Sequence, residues 1–211
     1  MIAEFLDFLF GTEQGRVYAP VNTATGFERN HTFAWPGNRE GLIKHIETSA
    51  SRGDVYVAPA LFRNHLVSKQ SFRQSGVVWV DFDGNLPQDF SLHGVPKPSW
   101  VIQSSTSENA HCYWKLEKPV TDPYELEGIN RGLAYAMDAD KSGWDCTQLL
   151  RPPGTINHKN GLPVSTRESN QFKYPASQFE SHTEKATINL PQQLTLLDPD
   201  EYLKASPSLR N

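Results

Sequence analysis

The sequence predicts an α+β domain built on a mainly antiparallel or mixed central sheet, and three observations lead there. Helix-like and strand-like segments alternate in the N-terminal part. The block GVVWVDFD is a continuous β-prone run, Val77, Val78, Trp79 and Val80, of the kind a central strand shows. Later, SWVIQSS and AHCYWKLE flank a short polar turn at Thr106 to Asn109, which is the pattern of a hairpin. At 211 residues, the chain is long enough for one sizeable hydrophobic core.

Each element follows from local pattern. Ile2, Phe5, Leu6 and Leu9 recur at helical spacing, and Gly11 closes that segment. RVYAPV predicts a short strand, and residues 22 to 38 read as turns. Leu42, Ile43 and Ile46 mark a helix running toward Ser51, and Arg52-Gly53 leads into a strand from Val55 to Ala58. After GVVWVDFD comes a polar, Pro-rich loop from Asn85 to Pro98, then the hairpin. Leu126, Ile129, Leu133 and Met137 are spaced 3, 4 and 4, so an amphipathic helix follows Pro123, which sits in its first turn. Beyond it, periodicity weakens. We expect a catalytic domain over residues 1–165 and a C-terminal extension or tail over 166–211 that packs on the core.

Composition narrows the function classes. Hydrophobic residues make up 37% and charged residues 21%, which is a soluble globular balance. The net charge of −4 argues against coating nucleic acid through a large basic field, though a local basic site is compatible with it. Cys112 and Cys146 do not form a disulfide framework or a CxxC pair, and are expected to be reduced and buried. The N-terminal apolar stretch is about three turns long and carries Glu4 and Asp7, so it reads as an amphipathic helix, not a membrane span. A cytoplasmic location is the expectation.

Three stretches carry chemistry. In VWVDFDGNL, side chains alternate along the strand, so Asp81 and Asp83 share one face about 7 Å apart. Two carboxylates so placed suit divalent cations with oxygen ligands; Asp83-Gly84 is also a common way to end a strand in a turn. Haloacid-dehalogenase-type phosphatases have a similar DxDGT, but Asn85 replaces the threonine and the motif here follows about 75 residues of structured sequence. The DxD of nucleotide-sugar glycosyltransferases fits the pair and leaves the other two stretches without a role. In SSTSENAHCYW, a turn of small polar residues offers hydroxyls and N–H groups to a phosphate, with His111 beside it. In DKSGWDCTQLLRPPGTINHK, Arg151 is a permanent planar cation, and Asn157, His158 and Lys159 follow a Pro-Gly turn.

Together these stretches, in this order, resemble the three motifs of archaeo-eukaryotic-type primases, particularly the primase-polymerases of plasmids and phages, over residues 50 to 160. The resemblance implies a core related to the RNA-recognition-motif fold packed with an N-terminal α/β unit. It implies that Asp81 and Asp83 bind catalytic Mg²⁺ or Mn²⁺, with Asp145 ranked first and Asp140 second as the third ligand. It implies that His111 contacts the triphosphate of the incoming (d)NTP, that Arg151 faces phosphate, and that Ser104, Ser105, Asn157, His158 and Lys159 complete the nucleotide site. A single-stranded DNA template would be the other substrate, and a helicase domain or protein a further partner, since the chain has no P-loop GxxxxGK[ST]. A replication initiator or binding module that keeps this fold without catalysis is the alternative outside enzymes.

Overall fold

The computed structural model describes residues 1–183; residues 184–211, the larger part of the expected C-terminal extension, lie outside the described residues. The chain starts with α1 (Ile2–Phe10), whose Phe5, Leu6 and Leu9 are buried and whose C-terminus is closed by Gly11 in a positive-φ conformation. Each of those three side chains contributes about 1.5–3 kcal/mol of apolar burial. Strands β1 (Gly15–Tyr18), β2 (Val21–Thr23), β3 (Gly26–Glu28) and β4 (Thr32–Trp35) follow, so the stretch that reads as turns from 22 to 38 holds three short strands. RVYAPV is split at Ala19-Pro20, between β1 and β2, because proline has no N–H to give to a ladder.

Helix α2 (Arg39–Ser49) buries Leu42 and Ile46, as their spacing predicts. Next are β5 (Gly53–Val55) and β6 (Leu61–Phe62). The predicted strand Val55 to Ala58 ends early as a ladder: Tyr56 and Ala58 donate to the carbonyls of Pro20 and Tyr18, while Val57 exchanges hydrogen bonds with Leu150. That segment therefore joins the N-terminal unit to the chain just before Arg151.

Strand β7 (Phe72–Asp83) joins the two halves of the main sheet. It pairs antiparallel with β6 at its start and with β9 (Asn109–Val120) along most of its length; β8 (Trp100–Gln103) lies on the other side of β9. The predicted hairpin is thus present. Helix α3 (Pro123–Ala136) carries Asp122 as its N-cap, with the side chain accepting from the Tyr124 N–H, which satisfies one of the free donors of the first turn. A small hairpin of β10 (Ile156–Asn157) and β11 (Leu162–Pro163) precedes β12 (Ser165–Ser169) and β13 (Lys173–Tyr174).

The main sheet runs β12-β8-β9-β7-β6-β1-β4, with β13 added parallel to β9, and β3-β2-β5 form a second small sheet. The α+β class with an antiparallel to mixed sheet is borne out. The N-terminal α/β unit is not a separate layer: its strands β1, β4 and β6 continue the same sheet through β7. Both cysteines are free and buried. Among the described residues, no helix is long and apolar enough to cross a membrane.

Candidate active site

The C-terminal end of β7 has one paired edge and one free edge. On the paired side, Asp81 lies opposite His111 and Asp83 opposite Asn109, and Ile102 lies opposite His111 from β8. Directly opposed residues in an antiparallel pair present their side chains on the same face, so Asp81, Asp83 and His111 share one surface, with His111 Nε2 3.5 Å from Asp81 Oδ1. On the free side, the backbone N–H of Trp79 donates to Asn130 Oδ1 at 3.0 Å, and the carbonyl of Asp81 accepts from the Asp140 N–H at 3.0 Å. The segment carrying Asp140 thereby closes the exposed edge and brings a third carboxylate to the pair. Gly84 (φ 98) and Asn85 (φ 56) both take left-handed backbone conformations and turn the chain away immediately after Asp83. Glycine adopts that conformation freely.

Electrostatics records the crowding. Burial first, then the charges of Asp83 and Asp140, push Asp81 up to about 7, and Arg151 opposes them. Three carboxylates held this close repel one another until a cation or a proton neutralises them. His111 is buried with Nδ1 lacking a hydrogen-bond partner, and its pKa is lowered to about 3 by burial and then by the charge of Arg151. The ring is neutral at physiological pH.

Of the two candidates for a third carboxylate, Asp140 is the one placed at the pair. Asp145, ranked first from the sequence, caps its own turn, Oδ1 accepting from the Thr147 N–H at 2.8 Å and from the Thr147 hydroxyl. Asp140 does the same for Ser142, at 2.9 Å from the N–H and 2.8 Å from the hydroxyl. It differs in that its own N–H reaches the Asp81 carbonyl and its charge acts on Asp81. A cavity of about 200 Å³ opens between Asp83, Gly84 and Asn85 on one side and Asp138, Ala139 and Asp140 on the other. Among the described residues no three His, Cys, Asp or Glu side chains close around one ion position. Mg²⁺ is ordinarily held by one or two carboxylates together with phosphate oxygens and water, and the oxygen donors of Asp81 and Asp83 fit that mode.

Beside the carboxylates lies a second, wider cleft of about 510 Å³, lined by Arg52, Asp54, Tyr56, Arg151, His158 and Lys159 among others. Arg151 donates through Nε to Asp54 Oδ1 at 2.9 Å and through Nη2 to the Tyr56 hydroxyl at 3.1 Å, with its guanidinium 5.0 Å from the Tyr56 ring centroid. Asp54 Oδ1 also accepts from the His158 N–H at 2.9 Å. His158 and Lys159 are exposed at the rim. Asn157 is buried and donates to the carbonyl of Ser104 at 3.2 Å, so it ties the serine turn to the Arg151 loop; Ser104 and Ser105 are themselves buried.

Comparison with known proteins bears on the fold. The replicase family model matches residues 55–148, a span that holds Asp81, Asp83, His111, Asp140 and Asp145 and stops short of Arg151. A search of curated proteins gives no match. Among solved structures, the AEP domain of the cyanophage S-2L primase-polymerase superposes with a TM-score of 0.65 at 12% identity, covering 86% of this chain and 96% of that one. The catalytic domain of primase RepB′ in complex with initiator DNA gives 0.65 at 22% identity, covering 93% and 97%. A second structure of primase RepB′ gives 0.65 at 22%, covering 97% of this chain and 67% of that one.

The chain has the fold of an archaeo-eukaryotic-type primase-polymerase. The resemblance read from the three motifs is borne out at the level of the fold.

Several residues of the candidate site were not legible as site residues. Asp54 and Tyr56 hold Arg151 from the N-terminal unit. On α3, Glu127 Oε1 accepts from the Cys146 N–H at 3.2 Å, and Asn130 Nδ2 donates to the Trp144 carbonyl at 3.3 Å. Both side chains are buried, and both pin the segment that carries Asp140. A signal existed: Glu127 and Asn130 interrupt the apolar stripe of Leu126, Ile129 and Leu133, and buried polar groups need partners. Trp35 and Phe62 are buried in the core, and the Tyr56 ring carries the Arg151 guanidinium, so these aromatics do not present free faces to a base.

Proposed function

We propose that the protein is a primase-polymerase that transfers nucleotidyl groups from (d)NTPs to a 3′-hydroxyl on a single-stranded DNA template, in plasmid or phage replication. The observation that carries this is the placement of Asp81 and Asp83 on one face beside His111, with Asp140 closing the free edge of β7 and Arg151 near enough to act on the charge of both Asp81 and His111. A bound pair of Mg²⁺ or Mn²⁺ ions would activate the 3′-hydroxyl and stabilise the leaving pyrophosphate.

The chain's own groups do the rest. Asp81 and Asp83 hold the ions, and Asp140, supported by Asn130 and Glu127, supplies the third carboxylate. Neutral His111 donates a hydrogen bond to a triphosphate oxygen through a ring nitrogen. Arg151, oriented by Asp54 and Tyr56, offers its remaining guanidinium N–H groups to phosphate in the wide cleft, whose rim carries Arg52, His158 and Lys159. Transfer of this kind depends on positioning and charge stabilisation more than on covalent chemistry by the protein.

The test is incorporation of labelled dNTPs and NTPs on single-stranded DNA, with and without primer, in Mg²⁺ or Mn²⁺, comparing wild type with Asp81→Ala/Asp83→Ala. Metal-dependent products that the double variant loses establish a polymerase, and primer-free products make it a primase. No products with nucleotide binding retained would favour a non-catalytic initiator module and sink this reading.

A further inference from the structure

The described arginines divide into two groups. Arg39 pairs with Asp7 and Glu40, Arg52 with Glu28, and Arg151 with Asp54; Arg29 and Arg131 lie over the rings of Phe27 and Trp144, and Arg167 donates to the Ser107 carbonyl at 2.9 Å, away from the others. Arg16, Arg63 and Arg73 have no carboxylate partner among the described residues, yet all three line one open groove of about 530 Å³. Its other walls are neutral: Gln14, Gly15, Ala34, Trp35, Pro36 and Gly37, with no aspartate or glutamate. Three guanidinium charges on one open groove, in a chain of net charge −4, make a local positive patch suited to an anion.

Local structure keeps them together. Arg16 lies on β1 opposite Phe62 of β6, and Arg73 follows Phe72, the other partner of Phe62, on β7. Gly15 makes the approach possible: a Cβ there would come within 2.9 Å of Leu61 Cβ and 3.3 Å of Arg73 Cδ. Arg63 continues from β6, with one guanidinium nitrogen donating to the Gln70 carbonyl at 3.4 Å and the remainder of its fork free.

We infer that this groove binds the phosphodiester backbone of DNA at a second contact, remote from the catalytic carboxylates. The guanidinium fork matches phosphate oxygens, and the walls lack an exposed apolar anchor of the kind a protein partner requires, because Trp35 is buried. Arg73 and Asp81 belong to one strand eight residues apart, about 26 Å by strand rise. That distance is about eight steps of a nucleic-acid duplex, so a strand whose end lies at the carboxylates can reach the groove. The inference rests on the proposed primase reading for the identity of the polymer.

The experiment is fluorescence anisotropy of labelled single-stranded DNA against wild type, Arg16→Gln/Arg63→Gln/Arg73→Gln, and the milder Arg63→Gln/Arg73→Gln, whose two positions are both exposed. Each phosphate contact contributes about 0.7 to the slope of log affinity against log salt. The triple variant should lower that slope by about 2, so wild type loses about 20-fold more affinity than the triple variant between 50 and 200 mM salt. The double variant should lower it by about 1.4. Binding of dNTP, measured in parallel by thermal shift, should be unchanged in both. Equal slopes in wild type and the double variant, with DNA still bound, overturn the groove alone. A wild type that binds dNTP and no DNA overturns the groove and the polymerase reading together.

Discussion

Arg151 and Asp54 are joined at 2.9 Å although 97 residues separate them, and Asp54 uses the same oxygen to hold the His158 N–H. The side chains are 17% and 11% exposed. A pair this enclosed is expensive to break from one side, because the partner charge stays behind. Asp54→Ala should lower stability by about 3 kcal/mol and weaken dNTP binding as Arg151 loses its orientation. Thermal unfolding and a dNTP titration check both, and a variant with wild-type dNTP affinity would remove Asp54 from the site.

Asn130 is the tether between the middle of β7 and the segment bearing Asp140. Asn130→Leu keeps the volume but strands the Trp79 N–H, a loss of about 1–3 kcal/mol for an unsatisfied buried donor. Extension activity should fall further than this loss of stability explains, because Asp140 is no longer held against Asp81. Full activity per folded molecule in the variant would mean that the backbone contact at Asp81 suffices.

Lys115 is mostly buried, donating through Nζ to the carbonyls of Phe8 and Leu9 at the end of α1. Burial, then the neighbouring charge of Lys173, lowers its pKa to about 8. The unfolded chain therefore holds more protons than the folded one between pH 8 and about 10.5, and unfolding free energy rises with pH across that window. Lys115→Met should remove this rise, on the order of 2–3 kcal/mol, from a series of denaturant titrations. Parallel pH curves for the two proteins would rule the effect out.

Gly132 faces the backbone of His182: a Cβ would lie 2.6 Å from that carbonyl oxygen. In a free helix, Gly→Ala stabilises by about 1 kcal/mol. Here Gly132→Ala should instead lower the melting temperature, because overpacking against backbone outweighs propensity by about 1–3 kcal/mol. A raised melting temperature would show that the segment carrying His182 yields at little expense.

The sequence was most informative where local pattern and tertiary role coincide. The run at Val77 to Val80 is apolar because both faces of β7 are covered, and Leu126, Ile129 and Leu133 repeat at helical spacing because one face of α3 is buried. Strands β2, β3 and β4 were not legible: each is three or four residues long and is specified by its partners, not by alternation. The choice between Asp140 and Asp145 also lay beyond spacing. Nearness to Arg151 along the chain ranks Asp145 first, whereas the free edge of β7 accepts the Asp140 N–H and draws that carboxylate toward the pair. Asp54 reads as an ordinary residue entering a strand until the Val57–Leu150 bridge brings Arg151 to it.

From Val77 to Asp83, β7 pairs with Lys115 to Asn109 without interruption. Which face carries the carboxylates in this stretch is thus a matter of odd and even. One residue gained or lost between Val77 and Asp81 would exchange Asp81 and Asp83 for Val80 and Phe82 and drive two carboxylates into the hydrophobic layer behind them. Mutational tolerance here should follow length more strictly than chemistry, so the strand accepts changes of side chain far more readily than a change of count.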